Sequence, residues 1–200
     1  FNEPQILNPK KPLTMKKHLL SICAAILAGT SLVAQSNQVS LGVDALLPQG
    51  DFNKEFSMGI GPSVGFELPV GDHIGITAQA AYSILLLKDD IKEVLDGASL
   101  IPLQAGLKYY FQESQSGIYA HGQLGVHMFS EKFKENAAFG LEAETESEAH
   151  FSWGIGAGYQ LEKFDLGIRY NSISPKSEEG EGEAEAFSYI GLRIAYLISF

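Results

Sequence analysis

The stretch from Phe56 to Asp72 reads FSMGIGPSVGFELPVGD. Every second residue from Met58 is apolar: Met58, Ile60, Pro62, Val64, Phe66, Leu68. The residues between them, Ser57, Gly59, Gly61, Ser63, Gly65 and Glu67, are tiny or polar. Side chains of a strand point to opposite faces with period two, so this pattern puts grease on one face and almost nothing on the other. The same alternation recurs around 39–47, 74–84, 101–111, 118–128, 151–161, 164–170 and 190–200. It predicts about eight strands of roughly ten residues each.

The connections carry a second signal. Residues 69–72, 112–116 and 162–163 are tight turns rich in turn formers, whereas 48–55, 88–99, 131–149 and 173–186 are longer and charged. Short connections at one end and long polar ones at the other describe an all-β, up-and-down antiparallel barrel with two unlike ends. A helical turn within 89–96 fits inside its loop.

A soluble barrel also alternates, with its apolar set inside and water outside. Its water-facing positions normally hold Lys, Glu and Thr, yet here the polar set is mostly Gly, Ser, Gln and Ala. A narrow lumen explains small residues within strands, where glycine is otherwise unfavourable. The apolar set is bulky and carries aromatics toward its ends. Phe66, Tyr109, Phe111, Tyr159, Phe164, Tyr196 and Phe200 lie near the tight turns, and Tyr82, Phe151, Trp153 and Tyr170 toward the long loops. Two aromatic girdles around an aliphatic band predict a bilayer-facing wall, hence a transmembrane barrel.

With this strand pattern from Gln38 to Phe200 and the ending SYIGLRIAYLISF, the chain resembles the small outer-membrane β-barrel proteins of Gram-negative bacteria, of the OmpA/OmpX-like kind. Gly191, Tyr196, Ile198 and Phe200 resemble the C-terminal signal read by the outer-membrane assembly machinery in that family. The resemblance implies outer-membrane lipid and the assembly machinery as partners, periplasmic termini and long loops outside. It leaves function open, because the architecture hosts adhesins, enzymes, stabilising proteins and small pores.

Other features bound the reading. A chain of 200 residues is one domain by length. Lys+Arg 14 against Asp+Glu 24 gives net charge -10, which argues against nucleic acid as a partner. Basic Lys16, Lys17 and His18 after Met15, an apolar run to about Val33 and the small Ala34 read as a signal peptide over 15–34. Cys23, the single cysteine, falls early in that run rather than at its end, which disfavours a lipid anchor. Residues 1–14 read as an upstream non-native or untranslated segment, and 35–200 as the barrel.

Candidate chemistry is sparse. The glycines of GIGAGYQ (154–160) and GIGPSVG (59–65) alternate within strands, with no helix following, so they do not form a phosphate cradle. His121 and His127 share one strand face about 20 Å apart and cannot share a metal without help from another strand. His150 has lumen parity, which removes the one rim histidine an outer-wall triad could use. No catalytic residue, metal site or cofactor is assigned. Lumen parity also holds Asp44, Glu67, Lys108, Asp165, Arg169 and Arg193, nearly balanced in sign, which reads as a charge network plugging the lumen or, alternatively, a charged constriction. Glu142, Glu144, Glu146 and Glu148, with Glu181, Glu183 and Glu185, alternate in the two long acidic loops, and counting by twos gives them the inward register of the strands below. They predict an acidic rim on extended hairpins, attracting loosely bound divalent cations. The reading is a structural or interaction barrel displaying acidic loops, for adhesion or surface interaction. The alternative is a narrow pore for small solutes, and an outer-membrane enzyme comes third.

Overall fold

A computed structural model describes residues 36–113, 115–134, 145–174 and 186–200. Among them run nine strand segments: β1 (Gln38–Gln49), β2 (Phe56–Val70), β3 (Ile74–Ala81), β4 (Ser83–Leu87), β5 (Leu95–Tyr110), β6 (Gly117–Phe133), β7 (Thr145–Gln160), β8 (Phe164–Ser174) and β9 (Phe187–Ser199). A single helical turn, α1 (Phe52–Glu55), joins β1 to β2, and a 3-10 turn at Ile91–Glu93 joins β4 to β5. Every pairing is antiparallel. β1 pairs with both β2 and β9, so the sheet closes on itself. β3 and β4 both bridge β2 to β5, one above the other, so the nine segments make eight staves.

The alternation decides what faces where. Leu41, Leu107, Ile118, Leu124, Ile155 and Ile194 are all more than half exposed on the outer wall. Aromatic rings bracket this belt, pairing as Tyr109–Phe111 and Phe164–Tyr196 near the tight turns and as Trp153–Tyr170 toward the other end. The inner set is buried and largely polar, with Thr77, Gln104, His121, Ser152, Asn171 and the six charged residues among it.

Lumen glycines are spaces for specific neighbours. A Cβ on Gly75 would sit 2.2 Å from Glu67 Oε1, one on Gly158 2.2 Å from Tyr119 Oη, and one on Gly156 2.5 Å from Arg169 Cγ. At the tight turn 69–72, Gly71 adopts φ 68, a conformation costly to residues with a Cβ.

The long connections are shorter than the sequence suggests. β5 begins at Leu95, so that connection keeps one 3-10 turn, and β6 and β7 extend through the charged segment to Phe133 and from Thr145. The connection at 48–55 is not simply polar, because Phe52 on α1 is buried. A β-bulge between Phe56 and Met58 also shifts the register, which turns Phe56 inward despite its outward parity. The third stave is broken at Tyr82, yet outward Tyr82 and inward Ser83 keep the parity of the residues before them.

Candidate functional site in the barrel lumen

The six lumen charges come together in one chain of alternating sign. Lys108 Nζ lies 2.9 Å from Glu67 Oε2 and 3.1 Å from Asp165 Oδ2. Arg193 Nη1 lies 3.2 Å from the same Asp165 oxygen, and its Nε 3.4 Å from Asp44 Oδ1. Arg169 Nη2 closes the series 3.2 Å from Asp44 Oδ2. The strands β1, β2, β5, β8 and β9 each contribute, so the network ties staves across the lumen and not merely along the wall.

Neutral groups take up the remaining hydrogen-bonding capacity. Tyr110 donates to Glu67 at 2.6 Å and Tyr119 to Asp165 at 2.7 Å. Ser63 donates to Asp44 at 2.7 Å, and Arg169 donates to Gln79 at 2.6 Å and Gln123 at 2.8 Å. The Lys108 ammonium also stands 4.3 Å from the Tyr119 ring centroid, a cation–π contact. Buried charges are tolerated where such partners satisfy them. Within the network remains a cavity of about 30 Å³, lined by Glu67, Lys108, Tyr119, Asp165, Arg169 and Arg193 among others. That is room for about one or two waters.

Toward the long connections the lumen changes character. Phe52 from α1 packs against Phe56, Phe129 and Phe187 at centroid distances of 5.1, 6.2 and 5.8 Å. Leu46, Leu85, Leu100 and Ile173 belong to the same apolar cluster. Between this aromatic layer and the ion pairs lies a polar layer that includes His127, whose Nε2 is 2.7 Å from Tyr189 Oη.

The sequence could have shown Phe129 and Phe187 as inward by parity. Phe52 and Phe56 carried no such signal, because one comes from a connection and the other from a bulge.

Of the seven glutamates expected to form an acidic rim, two lie among the described residues. Glu146 and Glu148 lie exposed on β7, opposite Glu131 and Phe129, in the inward register. Glu142, Glu144, Glu181, Glu183 and Glu185 lie outside the described residues. Glu131 has its pKa raised, first by partial burial and then by repulsion from Glu55, Glu146 and Glu148. On β9, Tyr196 and Ile198 face outward, as does Phe200 just after it, while Gly191 faces the lumen beside Tyr189 and Asn171.

A family model described as outer membrane protein beta-barrel domain matches residues 20–194. The fold is similar to that of Ail, the attachment invasion locus protein of Yersinia pestis, at TM-score 0.56 and 13% identity, covering 83% of this chain and 100% of Ail. Ail in complex with the heparin analogue sucrose octasulfate gives TM-score 0.59 and 14% identity, covering 82% of this chain and 99% of that one. The N-terminal β-barrel domain of Pseudomonas aeruginosa OprF gives TM-score 0.55 and 15% identity, covering 82% of this chain and 100% of the domain. No curated protein matches. At these identities the structural likeness carries the fold alone.

Proposed function

The chain belongs to the family of the outer membrane protein beta-barrel domain, and from that premise we propose that it is a closed outer-membrane barrel that works at its surface. Its loops, rather than its lumen, meet the partner. One observation carries the reading: the ion-pair chain from Glu67 to Arg169 and the aromatic layer around Phe52 both lie inside the barrel, and in this reading each obstructs the lumen. Eight staves leave an interior that side chains fill. A barrel so filled has its connections left for function. In this reading the tight turns and termini are periplasmic. The long connections, with Glu146 and Glu148 on β7, stand outside as an acidic rim for adhesion or other surface interaction, attracting divalent cations loosely. Ail, the attachment invasion locus protein, shares the fold and lends the adhesion reading support by analogy.

Conductance of the purified chain in a planar bilayer tests this. The closed barrel passes no steady current, and Phe52→Ala stays silent too because the ion-pair chain remains. Steady single-channel currents from the unmodified protein would overturn the closed reading. One feature favours the second reading, a narrow pore: Phe52 is held by a four-residue turn in a connection and not by a stave. A pore gated there would stay silent as wild type and conduct as Phe52→Ala.

A further inference from the structure

Five buried side-chain atoms have no hydrogen-bond partner among the described residues: Ser83 Oγ, Gln123 Nε2, His127 Nδ1, His150 Nδ1 and Ser152 Oγ. Four of these residues lie together on β6 and β7. His127 stands directly opposite His150, and Ser152 opposite Gly125 two residues along. His127 is 0% and His150 5% exposed, on the lumen side. Leaving a buried polar atom unpaired costs about 1–3 kcal/mol. An unpartnered imidazole nitrogen on each of two facing residues is what one shared ligand would satisfy.

The other nitrogen of each ring is already engaged. His150 Nε2 lies 3.3 Å from Glu148 Oε2. A carboxylate only accepts, so a tautomer that turns Nε2–H toward Glu148 keeps its lone pair on Nδ1. His127 Nε2 is 2.7 Å from Tyr189 Oη, and of the two tautomers the one that donates Nε2–H there keeps its lone pair on Nδ1. Metal-binding histidines are commonly set up this way, with the far N–H held by a carboxylate or another acceptor. Directly opposed residues on paired strands have Cβ atoms about 4.5–5.5 Å apart, close enough for two imidazoles to reach one ion.

Charge and access agree. Glu148 is exposed at the rim yet touches the buried His150, so one carboxylate links solvent to the pair. Glu146 and Glu131 face one another just beyond it, in the same inward register. Calcium and magnesium prefer oxygen ligands, whereas imidazole suits zinc, nickel and copper.

We propose that His127 and His150 form a binding site for one divalent transition cation of the zinc, nickel or copper class, completed by Ser152 Oγ and water. No group of three or more His, Cys, Asp or Glu is placed to hold an ion among the described residues, so the protein supplies two nitrogen ligands. Whether the lumen conducts does not bear on this site.

The test uses untagged, chelator-stripped protein folded in detergent, titrated with copper(II) and followed by equilibrium dialysis and electron paramagnetic resonance. Wild type binds one copper per chain with the hyperfine signature of two imidazoles. His127→Gln and His150→Gln each weaken binding at least tenfold, and Glu148→Gln, an exposed change that leaves the barrel packing alone, weakens it about tenfold. His121→Gln, whose ring pairs with Thr77, leaves it unchanged. Each variant is checked for the folded form by its gel mobility without boiling. Folded wild type that binds no copper, or binds it no better than the His127→Gln/His150→Gln double variant, overturns the proposal.

Discussion

Single charges in the lumen differ in how replaceable they are. Asp44 has two guanidinium partners, Arg169 and Arg193, and Asp165 has Lys108 and Arg193. The only cation bridged to Glu67 among the described residues is Lys108. Breaking a buried pair so that a charge is left uncompensated costs about 3–5 kcal/mol. Lys108→Ala should thus lower thermal stability by that order, while Arg169→Ala costs less because Arg193 still holds Asp44. Melting both variants in detergent by circular dichroism checks the ranking, and equal losses would mean the network shares its charge more evenly than its contacts suggest. Glu131 behaves oppositely. Burial and three neighbouring glutamates raise its folded-state pKa, so the folded chain keeps this proton more readily than the unfolded chain. Its contribution to stability is therefore present below the ordinary value of 4.5 and is lost as pH rises through the raised folded value. Glu131→Gln should raise the melting temperature at neutral pH and change it little under acid conditions. A shift of equal size in both would assign the effect to packing. The inward position of the six lumen charges was legible from parity alone, whereas Glu131 fell in a stretch that reads as a connection. Their partners were not, because period two fixes which face a residue takes and says nothing of which stave it meets across the lumen.

Among the elements, the broken stave shows what alternation hides. The stave halves β3 and β4 meet at Tyr82, whose N–H donates to the Pro62 carbonyl of β2 at 3.0 Å. A Cβ on Gly61, the neighbour of Pro62, would lie 1.7 Å from the Tyr82 carbonyl oxygen. That oxygen is backbone, so it cannot move aside without disturbing the pairing of β2 with β4. Gly122, by contrast, faces outward on β6, and a Cβ there meets nothing within 4 Å. Gly61→Ala should destabilise the barrel by about 1–3 kcal/mol, as overpacking does. Gly122→Ala should be neutral or slightly stabilising, since alanine loses less backbone freedom than glycine. Chemical denaturation of the two variants in the same detergent separates them, and a neutral Gly61→Ala would show that the break at Tyr82 is soft. The sequence marks both residues only as glycines within strands. The same limit concealed the aromatic layer: the bulge after Phe56 reverses the parity that the sequence reads correctly along the rest of β2, and α1 delivers Phe52 from a connection that charge alone describes as solvent-facing.

At the scale of the whole molecule, an exposed aliphatic belt surrounds a buried, largely polar inner set, the inverse of a soluble barrel, and the family assignment accounts for that inversion. The architecture was readable because each stave repeats the same instruction and the closed topology needs no side-chain detail. What the last stave adds is a question of assembly. β9 closes the barrel against β1 over its whole length, from Gln38 opposite Ser199 to Gln49 opposite Ser188. Phe200 follows it, with its backbone N–H donating to the Asn37 carbonyl at 3.0 Å and its side chain 67% exposed. Tyr196 packs its ring against Phe164, 5.6 Å between centroids, so its loss would disturb the wall itself. Phe200 makes no ring contact among the described residues, and removing it forfeits one terminal hydrogen bond worth about 1 kcal/mol. Deleting Phe200 should therefore leave refolding into detergent, read as a mobility shift on unboiled gels, almost unchanged. If the terminal residue is read by the assembly machinery, the same deletion should sharply reduce the amount inserted in the outer membrane of living cells at equal synthesis. Loss in both assays would make Phe200 a structural residue, and loss in neither would remove it from the signal.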